Sequence, residues 1–119
     1  LLTYKTPEDL RKRQEQQIQL IDEEISAAMR RILVLDQNLK EEREQAAEWQ
    51  KKQDRPNARL PYAVQQRISS IANAILAEDA LIKERQGERE RVNRDFDANA
   101  LRLAELLNNI AEERARSLH

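Results

Sequence analysis

Apolar side chains recur every seven residues through most of this chain. In its second half Ile68, Ile75, Ile82, Arg89, Phe96, Leu103 and Ile110 share one heptad position, with a single charged interruption. In its first half Ile18, Ile25, Ile32, Leu39 and Ala46 follow the same rule. A strict seven-residue repeat keeps one stripe of a helix turned toward a partner helix. Each half therefore reads as a long coiled-coil helix.

The ends of these helices are marked. Thr6 is a good N-cap, Pro7 suits the first helical position, and Glu8 and Asp9 favour the positive helix end. No Gly or Pro follows until Pro56. The first helix is expected over residues 7–53, roughly 70 Å at 1.5 Å per residue, after a short extension at 1–6. Residues 54–60 hold Pro56 and Asn57 and are followed by Pro61, so they form the connecting loop. Pro61 opens the second helix, expected over 61–116 and roughly 84 Å long. Gly87 lies inside it and costs about 1 kcal/mol relative to Ala.

A short loop between long helices favours an antiparallel hairpin. The heptads suggest how it pairs. With the seven-spaced series at a, the d positions are Ile21, Ala28, Leu35, Glu42 and Trp49 in the first helix. In the second they are Ile71, Glu78, Arg85, Val92, Asn99 and Leu106. A loop centred near 58–59 would match Trp49 with Ile68, Ala46 with Ile71, Leu35 with Ile82, Ile25 with Val92 and Ile21 with Phe96. Arg85, Arg89, Glu78 and Asn99 interrupt the second seam. Their stems can pack while their heads reach water, or they can set register and partner choice.

The hairpin leaves apolar residues over. Met29, Leu33, Val34, Leu76 and Leu81 lie off the seam and form a candidate oligomer face. A helix apolar on more than one side is usually covered on more than one side. Leu103, Leu106, Leu107 and Ile110 have little apolar match beyond Leu10, and Leu1–Tyr4 is expected to pack against them. The fold expected is all-α: a long antiparallel two-helix coiled-coil hairpin that self-associates, most simply as a homodimer.

Composition agrees. Of 119 residues 36% are charged and 3% aromatic, with one Gly. The net charge is −1, and the signs interleave, as in Lys40-Glu41-Glu42-Arg43-Glu44. That argues against nucleic acid as a partner, since nucleic acid asks for a basic face. The run Arg11-Lys12-Arg13 reads as a solvated surface. No apolar run nears the ~18 residues of a membrane span. With no Cys, thiol chemistry and disulfides are absent. One terminal His119 and dispersed carboxylates offer neither a metal site nor a general base for Ser26, Ser69 or Ser70. No phosphate loop is possible with one Gly. No catalytic residue, cofactor or metal is therefore expected, and an enzyme is not the reading.

One further cluster stands out at the tip. Trp49, Arg55, Asn57, Arg59, Leu60 and Tyr62 bring together residue types that anchor interfaces. The alternative is structural: Trp49 closes the hairpin core and Tyr62 packs on it. Trp49, Arg55, Arg59 and Tyr62 are the candidate interaction tip.

The opening Leu1-Leu2-Thr3-Tyr4-Lys5-Thr6-Pro7-Glu8-Asp9-Leu10, the following Arg11-Lys12-Arg13 and Leu20-Ile21-Asp22, and the later Asp95-Phe96-Asp97 carry a resemblance. They are similar to the carboxy-terminal helical region of a family of uncharacterised proteobacterial envelope proteins. In that family a signal peptide and a small amino-terminal β-domain precede a coiled-coil hairpin. The resemblance implies an exported, periplasmic protein with no known enzymatic activity, and it carries over no catalytic residue. A cytoplasmic location stays open on the residues alone. The chain lacks an initiator Met, and is expected to be excised from a longer protein. The function expected is a structural, oligomerisation or protein-interaction module. The alternative is an adaptor or chaperone-like binder that grips a protein through the tip or an apolar groove.

Overall fold

The structure is a computed structural model that describes residues 6–55 and 58–118. Two helices make the fold: α1, Pro7–Lys51, and α2, Tyr62–Ser117. There is no strand among the described residues. The chain is an all-α two-helix hairpin, as the heptads imply.

Local chemistry sets the helix ends. The Asp9 amide donates to Thr6 Oγ1 at 3.1 Å, which is the N-cap bond expected of a threonine there. At its other end α1 stops at Lys51, short of residue 53. The Lys52 amide is shared between the carbonyls of Glu48 and Trp49, and Gln53 bonds to Gln50. The last turn thus tightens into three-residue spacing before the loop. α2 starts one residue after Pro61, whose carbonyl accepts from Val64 and Gln65. Pro61 therefore caps the helix and does not occupy its first turn. The helix runs one residue past 116 to Ser117, with Arg114 and Arg116 suited to its negative end.

Contacts divide the chain into two units, residues 1–23 with 85–119, and residues 24–84. Each holds a stretch of α1 against a stretch of α2. In the first, Leu10, Ile21, Phe96 and Leu103 are buried. In the second, Ala28, Leu39 and Ala46 are buried, with Ile32, Leu35, Ile71, Ile75 and Ile82 half-buried around them. From Gln14 onward covered positions recur along α1 by alternate fours and threes, at Gln14, Ile18, Ile21, Ile25, Ala28, Ile32, Leu35, Leu39, Glu42, Ala46 and Trp49, with Leu10 before them and Gln17 and Ala27 covered beside the seam. That alternation is the heptad seam made visible. Ala28, fully buried, lets two backbones approach where a longer side chain would hold them apart. No described polar or charged residue is buried.

The helices pair in a different register from the one apolar matching suggests. With a loop centred near 58–59, Arg31 would face Gln86, Glu42 would face Ile75, Asp22 would face Asp95 and Gln14 would face Leu103. Instead Arg31 bonds Glu78, Arg67 bonds Glu42, Arg89 bonds Asp22 and Gln14 bonds Asn93. Each partner lies roughly one heptad nearer the tip. Within the second unit Leu35 therefore stands level with Ile75 rather than Ile82, and Leu39 with Ile71. Within the first, the start of α1 stands level with Leu103. The cause lies in the loop. Ala58 turns back onto the Arg55 carbonyl, and Gln50 reaches the Ala58 carbonyl. The chain has already reversed by residue 58, so residues 58–61 run back beside the end of α1.

Candidate interaction surface

At the tip, Trp49 is half-buried and its carbonyl accepts from the Gln53 side chain at 3.2 Å. Gln65 donates to the Leu60 carbonyl at 2.7 Å. The Gln65 amide thus serves a carbonyl outside both helices, while the Gln53 amide adds a second donor to a Trp49 carbonyl that already accepts from the Lys52 amide. Arg55 and Arg59 point to solvent, and Tyr62 is 76% exposed. Trp49 is thus partly covered, whereas Tyr62 is not buried on it. Asn57, also counted with the tip, lies outside the described residues.

The polar seam residues make cross-helix bonds. Arg31 grips Glu78 through two parallel contacts, at 2.8 and 2.9 Å. That fork geometry is the strongest a guanidinium and a carboxylate can make. The hydrogen bond from Arg31 lowers the Glu78 pKa from its ordinary value, and the same bond raises that of Arg31. Arg89 meets Asp22 at 2.9 Å and Arg67 meets Glu42 at 3.4 Å. Arg85 instead pairs along its own helix with Glu88 at 2.7 Å, and Asn99 is exposed. So Glu78 and Arg89 do not simply snorkel to water; they tie one helix to the other. Sequence reasoning named one side of these pairs and missed Asp22, Arg31 and Arg67. Their signal was present as charges flanking the seam, but choosing partners required the register.

The off-seam apolar residues fall on two sides of the second unit. Val34 lines a shallow groove of about 620 Å³ with Ala27, Arg30, Arg31, Leu35, Ala74 and Glu78. Leu81 follows Ala74 by one heptad and belongs to that side. Leu33 lies about 100° round α1 from Val34. It shares heptad position b with Leu76, and in an antiparallel pair like-lettered flanking positions lie on the same side. Met29, one turn before Leu33, joins them. Leu33 is 69% and Leu76 64% exposed, and Met29 and Val34 are more than half exposed. Leu81 is half-buried. The five residues therefore do not form one face: Met29, Leu33 and Leu76 form one, Val34 and Leu81 another.

A repeat underlies the first face. Ile32-Leu33, Asp36, Leu39 and Lys40-Glu41 recur as Ile75-Leu76, Asp79, Ile82 and Lys83-Glu84 at the same spacing. An exposed leucine between a seam isoleucine and a following Asp and Lys thus appears once in each helix. The heptad pattern alone hides this, because it sorts residues only into seam and surface.

Within the first unit, Leu106, Leu107 and Ile110 are each more than 40% exposed, and Leu20 and Leu101 more so. Leu1–Tyr4, expected against the first three, lies outside the described residues. A small cleft of about 250 Å³ opens between Pro7, Leu10, Arg11 and Gln14 on α1 and Phe96 and Ala100 on α2. No group of three or more His, Cys, Asp or Glu among the described residues could hold a metal ion. No described helix is long and apolar enough to cross a membrane.

No protein family, curated protein or solved structure matches this chain.

Proposed function

We propose that this chain is a non-enzymatic coiled-coil module through which a bacterial envelope protein self-associates. The observation that carries the reading is the pair Leu33 and Leu76. Leucine at the same outward heptad position of both helices is unexpected in a sequence this rich in charge. On a hairpin face it costs solubility unless something covers it. A second hairpin is the simplest cover, giving a four-helix arrangement. The envelope location rests on the resemblance of the opening and of Asp95-Phe96-Asp97. Fractionation of cells producing the protein tests it, and recovery in the cytoplasm would overturn it.

A second reading is favoured by the tip. Arg55, Arg59 and Tyr62 are all exposed near the turn, and Arg and Tyr are residue types that anchor interfaces, as an adaptor gripping a protein would use them. Solution mass separates the two. The self-association reading expects twice the 14.0 kDa chain mass by light scattering. Leu33→Asp with Leu76→Asp should return it to the single-chain mass with helical content kept. A wild-type chain that stays monomeric at high concentration sinks that reading and leaves the tip.

A further inference from the structure

Two registers, one heptad apart, keep the apolar seam of this hairpin on the seam. In the observed one, Leu35 is level with Ile75 and Leu39 with Ile71. In the other, one heptad away, Leu35 would meet Ile82, Ala46 would meet Ile71 and Trp49 would meet Ile68. A heptad slip returns every seam position to the seam, so apolar packing discriminates weakly between them. The polar partners tell them apart. Only the observed register brings Arg31 to Glu78, Arg67 to Glu42 and Arg89 to Asp22. The slipped one would set Asp22 level with Asp95, two like charges, and Glu42 level with Ile75.

The loop can accommodate the slip. Residues 58–61 are not helical and run back beside the end of α1. Sliding α2 toward its own amino end, at the tip, would move the reversal onto this stretch. α1 would then gain its next residues, Lys52 and Gln53, which already make three-residue turns. The slip would also give the far end of α2 a partner. Leu107 would come level with Leu10, and Ile110 with Pro7, where both now stand more than 40% exposed.

We propose that the cross-helix ion pairs act as a register latch, and that the hairpin slides by one heptad when they are neutralised. One-turn and longer ratchets between packed elements are a known form of switching, and polar contacts at a seam are the best-attested means of fixing register. Sliding changes which apolar residues the far end of α2 shows to a partner. It thereby couples charge on one part of the surface to docking on another.

The native chain has no cysteine, so engineered disulfides report the register directly. In the otherwise unaltered chain at low concentration, Leu35→Cys with Ile75→Cys should close an intramolecular disulfide. Leu35→Cys with Ile82→Cys should not. In a background of Asp22→Asn, Glu42→Gln and Glu78→Gln the preference should reverse. Amide exchange over 104–110 should slow at least several-fold at the same time. Arg31→Glu combined with Glu78→Arg rebuilds a pair and should keep the 35–75 disulfide. Retention of the 35–75 disulfide alone in the neutralised background would overturn the latch. So would closure of both disulfides in the unaltered chain, or slippage of the swapped pair. Loss of helical signal in the neutralised chain would overturn it too, because the apolar layers of the second register must then be too weak to hold the helices.

Discussion

Gly87 sits within α2, and a β-carbon added there would meet nothing within 4 Å. Glycine is the poorest helix former after proline, because it keeps the most freedom in the unfolded chain. Gly87→Ala should therefore stabilise the hairpin by about 1 kcal/mol, read as a rise in the thermal midpoint. No change, or a fall, would mean that the position bends or contacts something in the assembled protein. Ala28 is the opposite case. It is fully buried, so Ala28→Leu should force the helices apart and cost about 1–3 kcal/mol in denaturant titration. Glu78 adds a pH signature. Its pKa is lowered by the bond from Arg31, so the folded state binds a proton there less readily than the unfolded chain. The stability it contributes is fully present above the ordinary glutamate range, about 4.3, and is lost as pH falls through the lowered value. Arg31 stays charged throughout that range. Wild type should thus exceed Glu78→Gln in stability near neutral pH, and the gap should close only on acidification below about pH 4. A gap unchanged from neutral to acidic pH would show that the pair carries no pH-linked stability.

At the scale of the helices, spin labels at Leu35 and Ile75 should lie closer together than labels at Leu35 and Ile82, by about 5 Å, because a heptad of axial offset adds at right angles to the separation of the helices. The reverse order would restore the register that apolar matching favours. Much about these elements could be read from residues alone. Thr6 and Pro7 mark the start of α1 because capping is local chemistry, and the Ile18 and Ile68 series mark the seam because periodicity is. The register could not be read. A heptad repeat looks the same after a slip of seven, and what breaks the tie is the pairing of Arg31, Arg67 and Arg89 with acids on the other helix. Leu33 and Val34, adjacent in sequence, are grouped on one face when residues are sorted only into seam and surface. Helical geometry sends them to different sides. Tyr62 and Trp49 both belong to the tip, yet α2 begins with the tyrosine ring exposed.

For the whole molecule, self-association and folding should be linked. If the Leu33 and Leu76 face is covered by a second copy, the thermal midpoint should rise with protein concentration, because dimerisation favours the folded chain by mass action. A midpoint independent of concentration across two orders of magnitude would mark the hairpin as a monomer. Interleaved charges with a net of −1 leave no large repulsion to oppose such pairing. Trp49 is the sole tryptophan, and it sits half-buried at the turn. Its fluorescence is therefore an optical gauge of the tip alone, while circular dichroism averages over both helices. No described residue between 47 and 64 is buried, so the tip should open first. The emission of Trp49 should shift to longer wavelength at temperatures where most helical signal persists.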